Sequence, residues 1–368
     1  MNFFKVFFLF TIGLLHLLGC AGVKETVRDN TSLEVIDFHI AVLPVENLSG
    51  KPAPLTEIRQ MLINKIKILG LDILEDEFLD WFMEQNRIRY TGGIDSATAK
   101  SFKEEMGADA VLITSLEFYD AEYPPKIALI SRLVSTGDKP VILWMDGTGL
   151  TGDDAPGILG LGLIDNPLVI QDNAIINIAV SLSRYITGRL KNTNAYNVKF
   201  RPRIYYRSPL LHASSEYTIA LIPFLNKSSR KNAGEIVMLH FAKELMKMKN
   251  FEIIEPGITR QSLLNFRIMM SSGISIADTD LLSNTLDADL ILTGTVMDYQ
   301  DYEGTWGTPK VNFYTLVIER KSKRVFWISS SDNRGDDGVF FFNLGRINTA
   351  HAMTSKMANS VVKIMEGR

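Results

Sequence analysis

Hydrophobic positions along this chain fall into two series, and the second repeats the first. Ile40-Ala-Val-Leu-Pro-Val-Glu-Asn47 returns near the middle as Ile219-Ala-Leu-Ile-Pro-Phe-Leu-Asn226. Each octet is apolar enough for a strand buried on both faces, with a proline near its end and an asparagine suited to start a turn. After it, Leu55, Ile58, Met61, Leu62, Ile66 and Leu69 recur at helical spacing, as do Val237, Phe241, Leu245 and Met248 in the second series. A short strand is expected at 72–75 and again at 252–255. An apolar-periodic helix follows, carrying Phe78, Trp81 and Phe82 or, in the second copy, Leu263, Phe266 and Met270. A third helix starts near Asp95 or Ser96, good N-caps, and stops at Gly107; its counterpart covers 276–286.

The runs 108–115 and 288–295 then read as central buried strands. Two further strands are expected in each copy, 127–134 with 141–144 and 312–317 with 324–327, joined by polar segments short enough for hairpins. Each copy closes with a helix, over 172–190 and 349–365. Helices between the early strands imply parallel crossovers, and the late hairpins are antiparallel. The fold class is therefore α/β, with two tandem copies of a mixed five-stranded sheet packed with helices.

At 368 residues the chain suits two domains plus a leader. Its 46% hydrophobic and 22% charged residues are ordinary for a globular protein, and a net charge of −3 gives no reason to expect nucleic acid as a partner. Lys5 and the apolar run 6–18 form a secretory signal too short for a spanning helix. That signal ends in Leu17-Leu18-Gly19-Cys20, which resembles the bacterial lipobox and marks Cys20, the chain's single cysteine, for lipid attachment. Ala21 follows in place of the aspartate that retains lipoproteins at the inner membrane, so by that resemblance the expected location is the outer membrane, facing the periplasm. The resulting organisation is a signal peptide at 1–19, a lipidated tether at 20–38, a first repeat at 39–190, a linker at 191–216 and a second repeat at 217–368.

The Ile-Ala-Val-Leu-Pro-Val-Glu-Asn strand, the Ile-Leu-Glu strand after the first helix, the Ala-Asp-Ala-Val-Leu-Ile-Thr strand and the terminal helix, behind a lipobox, resemble the bacterial envelope superfamily of CsgG, the TolB N-terminal domain and LpoB. That resemblance spans each repeat nearly end to end. It implies an anticodon-binding-like fold that works by binding other envelope proteins, and it carries over no catalytic residues. The tandem duplication departs from the single-domain curli channel, and the strand connections are too short for that channel's membrane-crossing hairpins.

Catalytic chemistry is sparse, and the chain is expected not to be an enzyme and to need no cofactor or metal. Gly147-Thr-Gly149-Leu-Thr-Gly152 matches G-x-G-x-x-G after a strand, but Asp153, Asp154 and Pro156 follow where a phosphate site needs a helix N-terminus. The expectation there is a glycine-rich surface loop. Asp153-Asp154 and Asp336-Asp337 occupy matching places and read as turn-forming acidic pairs with too few oxygens for a cation. No two mature histidines show zinc-ligand spacing. Two stretches remain as candidate partner contacts. In the linker, Arg201, Arg203, Tyr205 and Tyr206 sit in a basic, aromatic segment without acidic residues, and Phe340, Phe341 and Phe342 form an apolar cluster.

The preferred function is a lipid-anchored periplasmic module that binds an unidentified envelope protein in assembly or regulation. Its alternatives are a subunit or accessory of an oligomeric secretion channel, and a small-ligand or nucleotide-binding protein.

Overall fold

The structure, a computed structural model, describes residues 38–154, 162–189, 200–269, 273–302, 307–337, 339 and 345–367. Cys20, the expected signal peptide and Phe340, Phe341 and Phe342 lie outside the described residues. The first repeat begins with β1 (Ile40–Val42) and β2 (Glu46–Asn47), both parallel to β3 (Ala110–Asp120). Pro44 lies between them and has no N–H to give to a ladder, so one apolar octet becomes two short strands. Helices α1 (Leu55–Ile68), α2 (Asp76–Gln85) and α3 (Ser96–Met106) connect β2 to β3. Asp95 caps α3 by accepting the Thr98 N–H, and Gly107 ends it at φ 67°, where a side chain would be strained. β4 (Lys126–Ser135) and β5 (Ile142–Thr151) complete an antiparallel meander, and α4 (Pro167–Ile186) returns across the sheet.

The second repeat runs β7 (Tyr217–Leu221), β8 (Leu225–Asn226), α5 (Ala233–Leu245), β9 (Phe251–Ile253), α6 (Pro256–Asn265), α7 (Ile276–Thr285), β10 (Leu290–Gln300), β11 (Lys310–Glu319), β12 (Val325–Arg334) and α8 (Ala350–Glu366). Its sheet gains an edge from the expected linker, where β6 (Ile204–Arg207) pairs antiparallel with β12. The strand order is β6-β12-β11-β10-β7-β9, with β8 also on β10. In the first sheet, β1-β3-β4-β5 with β2 on β3, the segment expected at 72–75 contributes one bridge, Ile40 to Ile73. A second difference concerns the glycines. Gly147 and Gly149 are strand residues of β5, where a surface loop was expected.

The two repeats share one core. One face of the first sheet (Val42, Leu112, Leu129, Trp144) packs under α1 and α4. Its other face (Val111, Ile113, Ile130, Met145) joins a continuous apolar cluster with Phe241 of α5, Met353 and Met357 of α8, and Leu292, Phe313 and Trp327 of the second sheet. Thus α5 and α8 lie between the sheets, with α8 touching β5 as well as β11 and β12. α5 accordingly has every residue but Glu235 buried, whereas α1 leaves Glu57, Asn64 and Lys67 in solvent. The periodic aromatics of α2 divide: Phe82 is buried, while Phe78 and Trp81 are exposed and stack on one another, their ring centroids 5.9 Å apart.

A buried ion pair crosses the same boundary. Arg132 of β4 donates to Glu255, the N-cap of α6, at 2.8 and 3.1 Å, and to the Gly92 carbonyl at 2.6 Å. Both side chains are shielded from water, so removing one partner strands the other's charge. Arg132→Met should therefore destabilise the chain by about 3–5 kcal/mol, and Arg132→Met with Glu255→Met should recover most of it. Urea unfolding measures both, and a double variant as weak as the single one contradicts this assignment.

Candidate docking face and inter-repeat seam

The sequence-predicted contact residues of the linker assemble around β6. Arg201 is exposed, and Arg203 pairs with Asp332 at 3.0 Å. Tyr205 stacks on the buried Trp327 with centroids 5.4 Å apart, which ties the edge strand to the core. Tyr206, on the opposite face, is half exposed. Arg207 turns inward to the carbonyls of Met365 and Leu211, at 2.8 and 2.6 Å. The arginines nearest the sheet are thus engaged within the second repeat.

What the basic composition concealed is an apolar surface. Strand alternation places Ile204 and Tyr206 of β6, Ile328 of β12, Tyr314 of β11 and Met297 of β10 on the outer face of the second sheet. They are 42–75% exposed. Their counterparts in the first sheet follow from the matching ladders: Ile130 stands where Tyr314 does, Met145 where Ile328 does and Glu117 where Met297 does. Those three are at most 9% exposed, because α5 and α8 cover them. One repeat's inner face is thus covered by the other, and the equivalent face of the second repeat is largely open, with α6 and α7 packed only over Ala220, Ile222 and Ile291.

Under α5 and α8 the first sheet carries polar groups. Glu117 is the bulged residue of β3, lying where the register shifts between Leu116 and Phe118. Its carboxylate accepts from His351 Nδ1 at 2.7 Å and lies 3.3 Å from His240 Nε2 through each oxygen. All three side chains are buried, and their ligand atoms lie within 4.8 Å of one another. Among the described residues, neither Glu117 Oε1 nor His240 Nδ1 has a hydrogen-bond partner. Burial pushes the Glu117 carboxyl up, but the two imidazoles outweigh it and hold the group well below the usual carboxylate range. Burial also pulls His240 down to about 4. Gly147 and Gly149 make room for this arrangement, since a Cβ on either would stand 2.8 Å from His351. The G-x-G-x-x-G match is filled by a histidine ring.

The acidic pair after β5 is engaged across the same seam. Asp153 accepts from the Tyr302 hydroxyl at 3.0 Å, and Asp154 from the Asn348 amide at 3.1 Å. Asp154 and its counterpart Asp337 each also accept a backbone N–H three residues back, from Thr151 and Arg334. Above them Lys126 lies over the Tyr302 ring, 3.4 Å from its centroid, and donates to the Tyr302 carbonyl. Arg230 reaches back to the carbonyls of Ser49 and Glu117. Comparing the repeats residue by residue would have exposed the seam, because Glu117, His240 and His351 answer to the apolar Met297, Met61 and Leu168.

No family model matches the chain, and no curated protein matches it. Among solved structures it is similar to the PelC dodecamer from Paraburkholderia phytofirmans, with 14% identity and a TM-score of 0.32 over 45% of this chain and 96% of that one. It is similar to lipoprotein GNA1162 from Neisseria meningitidis, with 17% identity and a TM-score of 0.27 over 39% of this chain and 96% of that one. A third likeness is the LpoB C-terminal domain from Escherichia coli, with 9% identity and a TM-score of 0.24 over 33% and 84%. These are distant structural likenesses and assign no role. Among the described residues no helix is long and apolar enough to cross a membrane.

Asp301 gives the seam a pH dependence. It accepts the N–H of Ala350, the first residue of α8, at 2.7 Å, and burial raises its pKa to about 6. An acid raised on folding holds its proton more tightly in the folded chain, so it is harmless below about pH 4 and increasingly costly as pH climbs through the folded value. Asp301→Asn keeps the acceptor and removes the titration. The variant should therefore gain about 3 kcal/mol over the parent between acid and neutral pH. Urea unfolding of both chains across that range checks it; curves that stay parallel contradict it.

Proposed function

We propose that this chain is a non-enzymatic, lipid-anchored docking module of the bacterial envelope, held through Cys20 at the outer membrane and facing the periplasm. Its contact surface in this reading is the open face of the second sheet, and its occupant is an apolar helical surface on a partner protein. The observation that carries it is the contrast between equivalent faces: Ile130 and Met145 are buried under α5 and α8, and Tyr314 and Ile328 stand in solvent. An exposed cluster of aromatic and aliphatic side chains on a rigid sheet is the composition that interfaces favour. The chain itself supplies the precedent for a helix pair resting there. Anchoring through the lipid would keep that face at high local concentration near partners in the same membrane.

A second copy of the chain is the other occupant favoured by a specific observation. At the positions answering to the buried seam, a neighbouring copy would offer Met61 on α1 and the exposed Leu168 on α4 to Met297, an apolar match where the internal contact is polar. Such a head-to-tail contact repeats into a ring or filament.

A photo-crosslinking residue placed at Tyr314 in the full lipidated chain, in cells that naturally carry it, should yield one discrete adduct, and the same probe at the exposed Glu104 of α3 should yield none. An adduct of two chain masses selects the second copy, and any other single mass selects a partner protein. Ile328→Asp should abolish the adduct while leaving thermal stability nearly unchanged. No adduct from position 314 sinks both readings.

A further inference from the structure

We propose that Glu117, His240 and His351 form a binding site for one divalent transition metal ion of the zinc class, which fastens the second repeat to the first. The three side chains come from three elements that meet only when the repeats are docked: the bulge of β3, the middle of α5 and the first turn of α8. Two imidazoles and a carboxylate are the donor set that zinc and its neighbours take, and hard cations such as calcium and magnesium require more oxygens than this seam offers.

Geometry supports the assignment. Ligand bonds of about 2.0–2.1 Å in a tetrahedral array put donor atoms roughly 3.3 Å apart. His240 Nε2 stands 3.3 Å from both oxygens of Glu117, long for a hydrogen bond to a carboxylate and suited to two atoms sharing an ion. The 2.7 Å contact from His351 Nδ1 is a hydrogen bond, which an ion would replace. Hydrogen bonding alone leaves Glu117 Oε1 buried and unpartnered, a costly state that coordination relieves.

The duplicated architecture supplies an independent argument. The bulge that carries Glu117 is present in both repeats, and its counterpart carries Met297. The helix positions of His240 and His351 hold Met61 and Leu168 in the first repeat, and Gly147, which yields space to the His351 ring, is replaced by Ser330. Ligating residues and the space for them therefore occur together at the seam and are missing together from the equivalent positions.

The test uses the full chain, unfolded with chelator and refolded with and without Zn²⁺. Refolding with zinc should leave one ion per chain by elemental analysis and raise the melting temperature by several degrees over the metal-free protein. Co²⁺ in its place should give visible absorption of a four- or five-coordinate site. Glu117→Gln combined with His240→Met should hold no metal and show no shift with zinc. Failure of the parent chain to take up zinc, or unchanged stoichiometry in the double variant, overturns the proposal. Should the variant not fold, X-ray absorption at the zinc edge of the parent decides, because the seam supplies two imidazoles. The half-buried alternative at His39, beside Asp72 and Asp109, supplies one, so a shell with fewer than two overturns the proposal.

Discussion

Everything in this molecule depends on how the inner face of the first sheet is kept from water. That face carries Val111, Ile113, Ile130 and Met145, and its own helices α2 and α3 cover only part of it. The helices α5 and α8 of the second repeat cover the rest, and the same helices pack with their other side on Leu292, Phe313 and Trp327. Burial of such surface contributes roughly 25 cal/mol for each Å² removed from water, so separating the repeats would return the inner face of the first sheet and one side of α5 and α8 to solvent at a cost in stability. The buried polar groups follow from this constraint. Arg132, Glu117 and Asp153 all find partners across the boundary, and their geometry helps to select one of many apolar packings.

That arrangement also explains the asymmetry between the repeats. A duplicated unit with one helix-covered face and one open face can stack, and stacking leaves one open face at the end of the array. Here that face belongs to the second sheet and shows Tyr314 and Ile328 where the covered face shows Ile130 and Met145. The edge strand β6 extends the open face with Ile204 and Tyr206, while Tyr205 anchors the strand inward on Trp327. The functional reading rests on this surface.

Most of the fold could be read in the sequence because its strands are continuous apolar runs and its helix ends carry strong local signals. Asp95 and Gly107 cap α3 as their residue types require, and the repeat of the strand octet made the duplication plain. The misreadings share a cause, which is that local pattern does not reveal what a second repeat will cover. Gly147 and Gly149 looked like a loop because their purpose is to admit His351 from about 200 residues further along. β6 looked like a linker because its arginines and tyrosines hide a strand that is completed only by β12. The apolar residues of α5 run nearly all round the helix, with Met238 and Leu239 beside Val237 and Phe241, and this was the missed signal that it is covered on almost every side. Of the predicted contact residues that the structure describes, Arg201, Arg203, Tyr205 and Tyr206 are all exposed, and Arg203 and Tyr205 also hold the strand in place through Asp332 and Trp327.

The measurement that bears most directly on this account is native-state hydrogen exchange, followed by mass spectrometry at increasing denaturant. If the two repeats share one core, the amides of β4 in the first repeat and of β11 and α5 in the second should open together, with one free energy and one denaturant dependence. Exchange of β4 at a much lower free energy, while β11 and α5 stay protected, would show that the second repeat stands without the first and contradict the shared core.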